Sequence, residues 1–247
     1  MNRTLEHILP KVQKPARYTG GEYNTIVKDK KSVAVRYALC FPDTYEIGMS
    51  HLGMKILYSL TNSREEIWCE RCFAPWTDME AEMRRHNIPL WALESGDPIK
   101  TFDIVAFTLG YELSYSNVLY MLDLGGIPLT SAERGEDAPI VIGGGCCTYN
   151  PEPLADFFDI FSIGEGEDML VEFTKLMIEM KEKGTYTREA FLHEAARTIP
   201  GVITTTAKIL SVYDLLNAKN LVIQTTTNLQ EQMTKQMQIN TVNLSER

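Results

Sequence analysis

The chain has 247 residues, 44% of them hydrophobic and 23% charged, with a formal net charge of −9. That balance allows a packed core and excludes global disorder. The acidic excess offers no electrostatic footprint for nucleic acid or an anionic membrane. No apolar run approaches the roughly 20 residues that cross a bilayer. The opening MNRTLEHILPKVQKPARYTGGEY is polar and basic and lacks the apolar segment of a secretory leader, so a cytoplasmic location is expected. There the five cysteines are thiols or ligands before they are disulfides.

Residues 1–30 carry little periodicity and form an N-terminal extension, with a turn at TGG. Residues 33–41, VAVRYALCF, are a nearly continuous apolar run, as in a strand covered on both faces, and Pro42-Asp43 ends it. Leu52, Ile56, Leu57 and Leu60 share one helical face over 51–60, with Ser50 in position to cap it. A weaker strand follows at 67–74, then a helix over 78–86 with Thr77 as cap, and a short strand at 90–93. Residues 102–109 read as a buried strand, and 113–124 as a helix that stops at Gly125-Gly126. A strand at 140–142 runs into three glycines, and another at 158–163 ends at Gly164. Helices over 168–183 and 188–198 complete the alternation. Strand and helix in turn imply a parallel sheet with helices on both faces. Glycine and proline vanish after Gly201 while Thr, Gln and Asn rise. The expected organisation is therefore an extension over 1–30, a domain over 31–201, and a divergent, solvated tail over 202–247 containing one short strand candidate at 220–224.

In such sheets ligands bind at the carboxyl ends of the strands. Four loops follow strands: FPDTYEIGMSHLG, TLGYELSYSN, GGGCCTYNPEP and GEGED. Gly143-Gly144-Gly145 lacks the Gly-Lys-Ser/Thr of a phosphate loop and the G-x-G-x-x-G of a dinucleotide fold. It still marks a sharp turn or the close approach of a ligand. Cys146-Cys147 are poorly placed to share an ion, because neighbours in extended chain point apart. Cys69-Glu70-Arg71-Cys72 has C-x-x-C spacing, but no second pair exists, and His7, His51, His86 and His193 show no ligand spacing to it. Buried thiols are the plainer expectation. Asp43, Glu46 and His51 offer an acid, base and ligand set, but no activated nucleophile accompanies them. Glu165 and Glu167 suit either a ligand or the first turn of a helix. Pro151-Glu152-Pro153 stiffens a loop, and Tyr111, Tyr115 and Tyr120 fall partly on one helical face.

In order, Ile142-Gly143-Gly144, Pro151-Glu152-Pro153, Asp159 and Gly164-Glu165-Gly166-Glu167 resemble the N-terminal cobalamin-binding-like domain of radical S-adenosylmethionine proteins. The phrases VQKPARYTGGEYN, FPDTYEIGMSHLGMKILY, FTLGYELSYSNVLYMLDLGGIPL and NPEPLADFFD are similar to one subfamily of these proteins, and the resemblance spans about residues 4–202. It implies an α/β, Rossmann-like (flavodoxin-like) domain lying over a radical barrel, in the same chain or as a separate partner. The barrel holds a [4Fe-4S] cluster on three cysteines and cleaves S-adenosylmethionine. This chain departs from the pattern twice. It contains no CxxxCxxC, so it is not expected to be catalytic alone. It also lacks the Asp-x-His-x-x-Gly whose histidine ligates cobalt, since Ser50-His51-Leu52-Gly53 does not match that spacing. The tail after residue 201 is what a truncated or frame-shifted reading would produce. For a bound cobalamin, the loops nominate Tyr45, Glu46, Gly48, Ser50, His51, Gly110, Tyr111, Glu112, Gly143, Gly144, Gly145 and Glu165. The alternative is a ligand-free docking domain for a separate barrel.

Overall fold

The structure, a computed structural model, describes residues 3–204. Helix α1, Arg3–Ile8, leads through two 3-10 turns, Leu9–Lys11 and Pro15–Tyr18. Leu5, Ile8, Val12 and Tyr18 from this stretch are buried in the main core. Further along, the Ile26 amide donates to the Tyr58 hydroxyl at 2.8 Å, and the Ile26 carbonyl accepts from the Trp68 indole at 3.1 Å. The N-terminal extension therefore straps the body of the domain, held first by the buried face of α1 and then by single anchors at Tyr18 and Ile26.

Strand β1, Val35–Phe41, is followed by helices α2, Tyr45–Ser50, and α3, Leu52–Asn62. Strand β2, Ile67–Phe73, precedes α4, Thr77–His86. Then come β3, Ile104–Thr108, α5, Tyr115–Gly125, and β4, Ile140–Gly144. Strand β5, Ile160–Ser162, leads to α6, Gly166–Glu182, α7, Arg188–Thr198, and β6, Val202–Thr204. The sheet order is β2-β1-β3-β4-β5-β6. Strands β1 to β5 are parallel, and β6 pairs antiparallel with β5, Phe161 opposite Ile203. This is the Rossmann-like α/β architecture, and β6 shows that the sheet continues past residue 201. Residues 205–247, including the strand candidate at 220–224, lie outside the described residues.

Alternation along the strands builds two cores. Ala38, Cys40, Val105, Phe107 and Val141 face Met79, Met83, Val118, Met121 and Leu122 of α4 and α5. Val35, Tyr37, Leu39, Ile104, Ile140 and Ile142 face Met54 and Tyr58 of α3 and Phe173, Met177, Phe191 and Leu192 of α6 and α7. Covering both faces explains why the strands read as continuous apolar runs. Among the described residues, no helix is long and apolar enough to cross a membrane.

Strand β2 carries Glu70 and Arg71 yet is buried throughout, which weakened its signature in the sequence. Both charges are paired: Glu70 with Arg36, and Arg71 with Glu94 at 2.6 Å and Glu22 at 2.8 Å. The outer edge of β2 is closed by other groups. Asn62 exchanges two hydrogen bonds with the Cys69 backbone, Glu94 accepts from the Arg71 amide, and the Leu93 amide donates to the Arg71 carbonyl. Of residues 90–93, expected as a strand, Leu93 serves this edge, the Leu90 and Ala92 amides donate to the Leu124 and Asp97 carbonyls, and Trp91 makes only an isolated bridge to Pro98. Capping this way blunts an edge that would otherwise invite pairing with another chain.

Two expected helix caps differ. At α3 the cap is His51, whose Nδ1 accepts from the Met54 amide at 3.2 Å, while the Ser50 hydroxyl donates back to the carbonyls of Glu46 and Ile47. At α4 the N-cap is Trp76, and Thr77 is already helical.

Candidate functional site at the carboxyl edge of the sheet

Strand order reverses between β1 and β3. The helices that follow β1 lie on one face and α5, which follows β3, on the other. The loops leaving these strands diverge, and such a divergence forms the ligand crevice of open α/β sheets. Here it is closed by one contact: the Tyr111 hydroxyl donates to the Asp43 carboxylate. That bond raises the Tyr111 hydroxyl to about 12, with burial adding to the effect. The Asn117 amide donates to the Pro42 carbonyl at 2.9 Å and braces the same junction. The sequence placed Asp43 in the loop but not in the nominated site, because a contact across 68 residues leaves no local trace.

Of the five nominated residues in the loop after β1, two, Tyr45 and Glu46, turn toward the N-terminal strap. The Tyr45 hydroxyl donates to Glu22 at 2.7 Å, and burial followed by that carboxylate raises it to about 12. Glu46 accepts from Lys14 and Arg17, each at 3.0 Å. The Arg17 bond, chiefly, holds its carboxyl down at about 2. At Gly48 a Cβ would lie 2.2 Å from the Phe73 ring, so this glycine exists for packing. Ser50 is bonded back to its own helix, and the His51 ring lies 5.0 Å from Phe41 with Nδ1 occupied as a cap.

The three glycines divide their roles. Gly143 sits in β4 opposite Phe107, where a Cβ would meet Leu109 at 2.9 Å and the Phe158 ring at 3.1 Å. Its bareness admits the aromatic cluster of Phe107, Phe158 and Phe161 beneath the edge. Gly145 turns at φ 111°, 2.7 Å from the Leu109 carbonyl measured from a built Cβ. The Leu109 amide donates to the Gly144 carbonyl at 2.6 Å, and the Leu109 carbonyl accepts from the Cys147 amide at 3.1 Å. The exits of β3 and β4 are thereby zipped together. Of the five nominated glycines, Gly144 and Gly110 face open space. Glu112 is exposed at the start of a 3-10 turn, and Glu165 is exposed at the N-cap of α6. The structure thus joins Asp43, Tyr111, Gly110 and the Gly143–Cys147 stretch at one edge, and leads Tyr45, Glu46 and Gly48 away from it.

The C-x-x-C pair is not a site. The period of two along β2 sends Cys69 into one core and Cys72 into the other, where Cys72 lies beside Cys40 in the strand register. Asp159, part of the motif order, is a buried clamp. It takes Arg134 at 3.1 Å, Arg188 at 2.5 Å, the Ser131 hydroxyl at 2.5 Å and the Val141 amide at 2.7 Å.

Apolar side chains stand out on the same edge. Ile47, Leu52, Ile56, Trp76, Tyr111, Leu113 and Tyr149 are exposed. All seven lie in the loops that follow strands β1 to β4 or in the first two turns of the helices after them.

Uncharacterized protein MJ0966 of Methanocaldococcus jannaschii is 27% identical over 180 residues, 72% of this chain and 34% of its own length. The chain thus spans about a third of that curated relative. No solved structure matches the chain at a significant level. The family model described as "Radical SAM proteins, N-terminal", where SAM is S-adenosylmethionine, matches residues 53–204. That span is more than half of the chain and runs from α3 through β6, and on it the chain belongs to the family of N-terminal domains of radical SAM proteins.

Proposed function

We propose that this domain is the N-terminal cover of a radical SAM barrel and docks through the carboxyl edge of its sheet, in one chain with the barrel or as its separate partner. The observation that carries this reading is the placement of exposed apolar surface. Of the ten exposed large hydrophobic residues among those described, seven lie on that edge. Tyr23 and Val27 lie on the strap, and Leu129 lies on the loop between α5 and β4. Apolar surface gathered in one place marks a surface for association.

Cluster chemistry is assigned to the barrel. Cys40, Cys69 and Cys72 are closed inside the two cores, and a [4Fe-4S] cluster requires three or four convergent thiolates. This chain's part is to bind, to cover and to exclude water. The test is hydrogen exchange with and without the isolated barrel of a full-length family member. Protection is expected over 43–52, 110–114 and 145–149. Protection confined to the opposite edge, around 126–139, or none at all, overturns the docking reading.

A second reading, cobalamin held under the barrel, is favoured by Gly110 and Gly144, whose bare backbone opens on the edge where a flat macrocycle could approach. The fit is partial. The Tyr111–Asp43 bond closes the switch point, and His51 Nδ1 is committed to its helix. A corrinoid here would gain a flat apolar rest from Tyr111 and Leu113, without an Nδ1 ligand from His51. Titration with hydroxocobalamin decides. No spectral change and no corrinoid retained after desalting leaves the domain a ligand-free cover.

A further inference from the structure

We propose that the partner face meeting the carboxyl edge is basic around an apolar centre, an inference that rests on the docking reading and adds the chemistry of what docks. The apolar residues of the edge are interleaved with carboxylates. Glu112 adjoins Leu113, and both are exposed where the chain leaves β3. Asp43 lies at the centre, beneath the Tyr111 hydroxyl. On the other side of the sheet the start of α6 packs on α3, where a Cβ built on Gly166 would lie 3.4 Å from Leu57. Glu165, Glu167 and Asp168 open α6 there, beside the helix that exposes Leu52 and Ile56.

Cations are scarce on this edge. The segments that follow strands β1 to β5, residues 42–53, 74–78, 109–114, 145–149 and 163–168, contain no Lys or Arg. Lys14 and Arg17 reach over from the strap but are taken by Glu46, which leaves Lys55 in α3. Along α6 the pairing is one-sided. Glu172 and Glu179 hold Lys175 and Lys183, whereas Glu165, Glu167 and Asp168 form no ion pair among the described residues. Helix ends do not reverse the sign. Each N-terminus carries about half a positive charge, so α3, α5 and α6 supply about 1.5 charges. Lys55 adds one, and five carboxylates outweigh the total. The dipole accounts for Glu167 and Asp168 in the first turn of α6. It does not account for Glu165, which makes no capping bond, or for Glu112, in a turn of three residues. Apolar area alone would accept many surfaces, and the charges choose among them. An anionic face would set like charges against each other as water leaves. Lys or Arg around the rim of the partner would steer the encounter and fix its register.

The test is the association kinetics of the full 247-residue chain with the isolated barrel of a full-length family member, followed from low salt to about 1 M NaCl, where screening shortens to about 3 Å. The association rate should fall at least about tenfold over that range, while the dissociation rate changes little. E112K and E165K, both at exposed positions, should each slow association at low salt and flatten its salt dependence. D137K is the control. Asp137 is exposed on the loop that enters β4 at the opposite edge, and its reversal changes the net charge by the same amount, so association should match wild type. Circular dichroism identifies any variant that fails to fold. Binding whose association rate ignores salt, or rises with it, overturns the basic partner and leaves docking intact. So does a D137K variant slowed as much as E112K and E165K, because the effect would then belong to net charge and not to the edge. No binding of the barrel at any salt concentration overturns the docking reading, and the basic partner with it.

Discussion

The Tyr111 hydroxyl donates to the Asp43 carboxylate across the point where the strand order of the sheet reverses. The bond raises the Tyr111 hydroxyl to about 12. The folded-state value lies above the ordinary value of about 10, so the contribution to stability is whole below about pH 10 and disappears as pH rises through about 12. In D43N the charged acceptor is gone, and the Tyr111 titration, followed by carbon NMR on labelled tyrosine, should fall back toward 10. Y111F should lower stability by about 0.5–1.5 kcal/mol, nearer the lower figure because the ring is 38% exposed. A Tyr111 midpoint unmoved in D43N would show that the two loops are not joined in solution.

The glycine run allows a sharper comparison, because its three members stand in different surroundings. Alanine at Gly145 must take a φ of 111° and meet the Leu109 carbonyl, at an expected cost of about 1–3 kcal/mol. Alanine at Gly143 crowds Leu109 and Phe158, with a similar cost from overpacking. Alanine at Gly144 enters open space and should change stability by no more than about 0.5 kcal/mol. Urea unfolding of the three variants gives the order. If G144A is the most destabilised, the assignment of roles along the turn is wrong.

Much of the fold was legible in the sequence for a local reason. Strands such as β1, covered on both faces, read as unbroken apolar runs, and Gly126 stops α5 at φ 67° as the Gly125-Gly126 pair suggests. What stayed hidden depends on distant partners. Residues 90–93 resemble a strand because Leu90, Trp91 and Ala92 are buried, but only Leu93 meets β2, at the Arg71 carbonyl more than 20 residues away in sequence. The C-x-x-C spacing looked chemical until β2 placed its two thiols on opposite faces. Of the nominated residues, Tyr45, Glu46 and Gly48 answer to Glu22, Arg17 and Phe73, and no spacing rule announces those partners.

Glu46 tests the strap. Its carboxyl is held at about 2, first by the hydrogen bond from Arg17 and further by Lys14. A folded-state value below the ordinary 4.5 means that the stabilisation is present above that pH and is lost as pH falls through about 2. In R17A the Glu46 midpoint, read by side-chain carboxyl NMR, should rise toward 4.5. The pair is open to solvent, so E46Q should change stability by less than about 1 kcal/mol. An unchanged midpoint in R17A removes the strap contact.

Asp159 makes the strongest demand on stability. Its carboxylate is fully buried and meets two arginines, a hydroxyl and an amide. Arg134 belongs to the connection from α5 to β4 and Arg188 opens α7, so one side chain ties both to the start of β5. Burial pulls the Arg134 guanidinium below its ordinary range although Asp159 opposes the shift. Removing the carboxylate leaves two cations with little solvent, and breaking a buried pair from one side costs about 3–5 kcal/mol. D159N should therefore lose that much in urea unfolding. Replacing both arginines by methionine in the D159L background removes the stranded charges and should recover part of the loss. A D159N variant within 1 kcal/mol of wild type would mean that the clamp contributes little net stability.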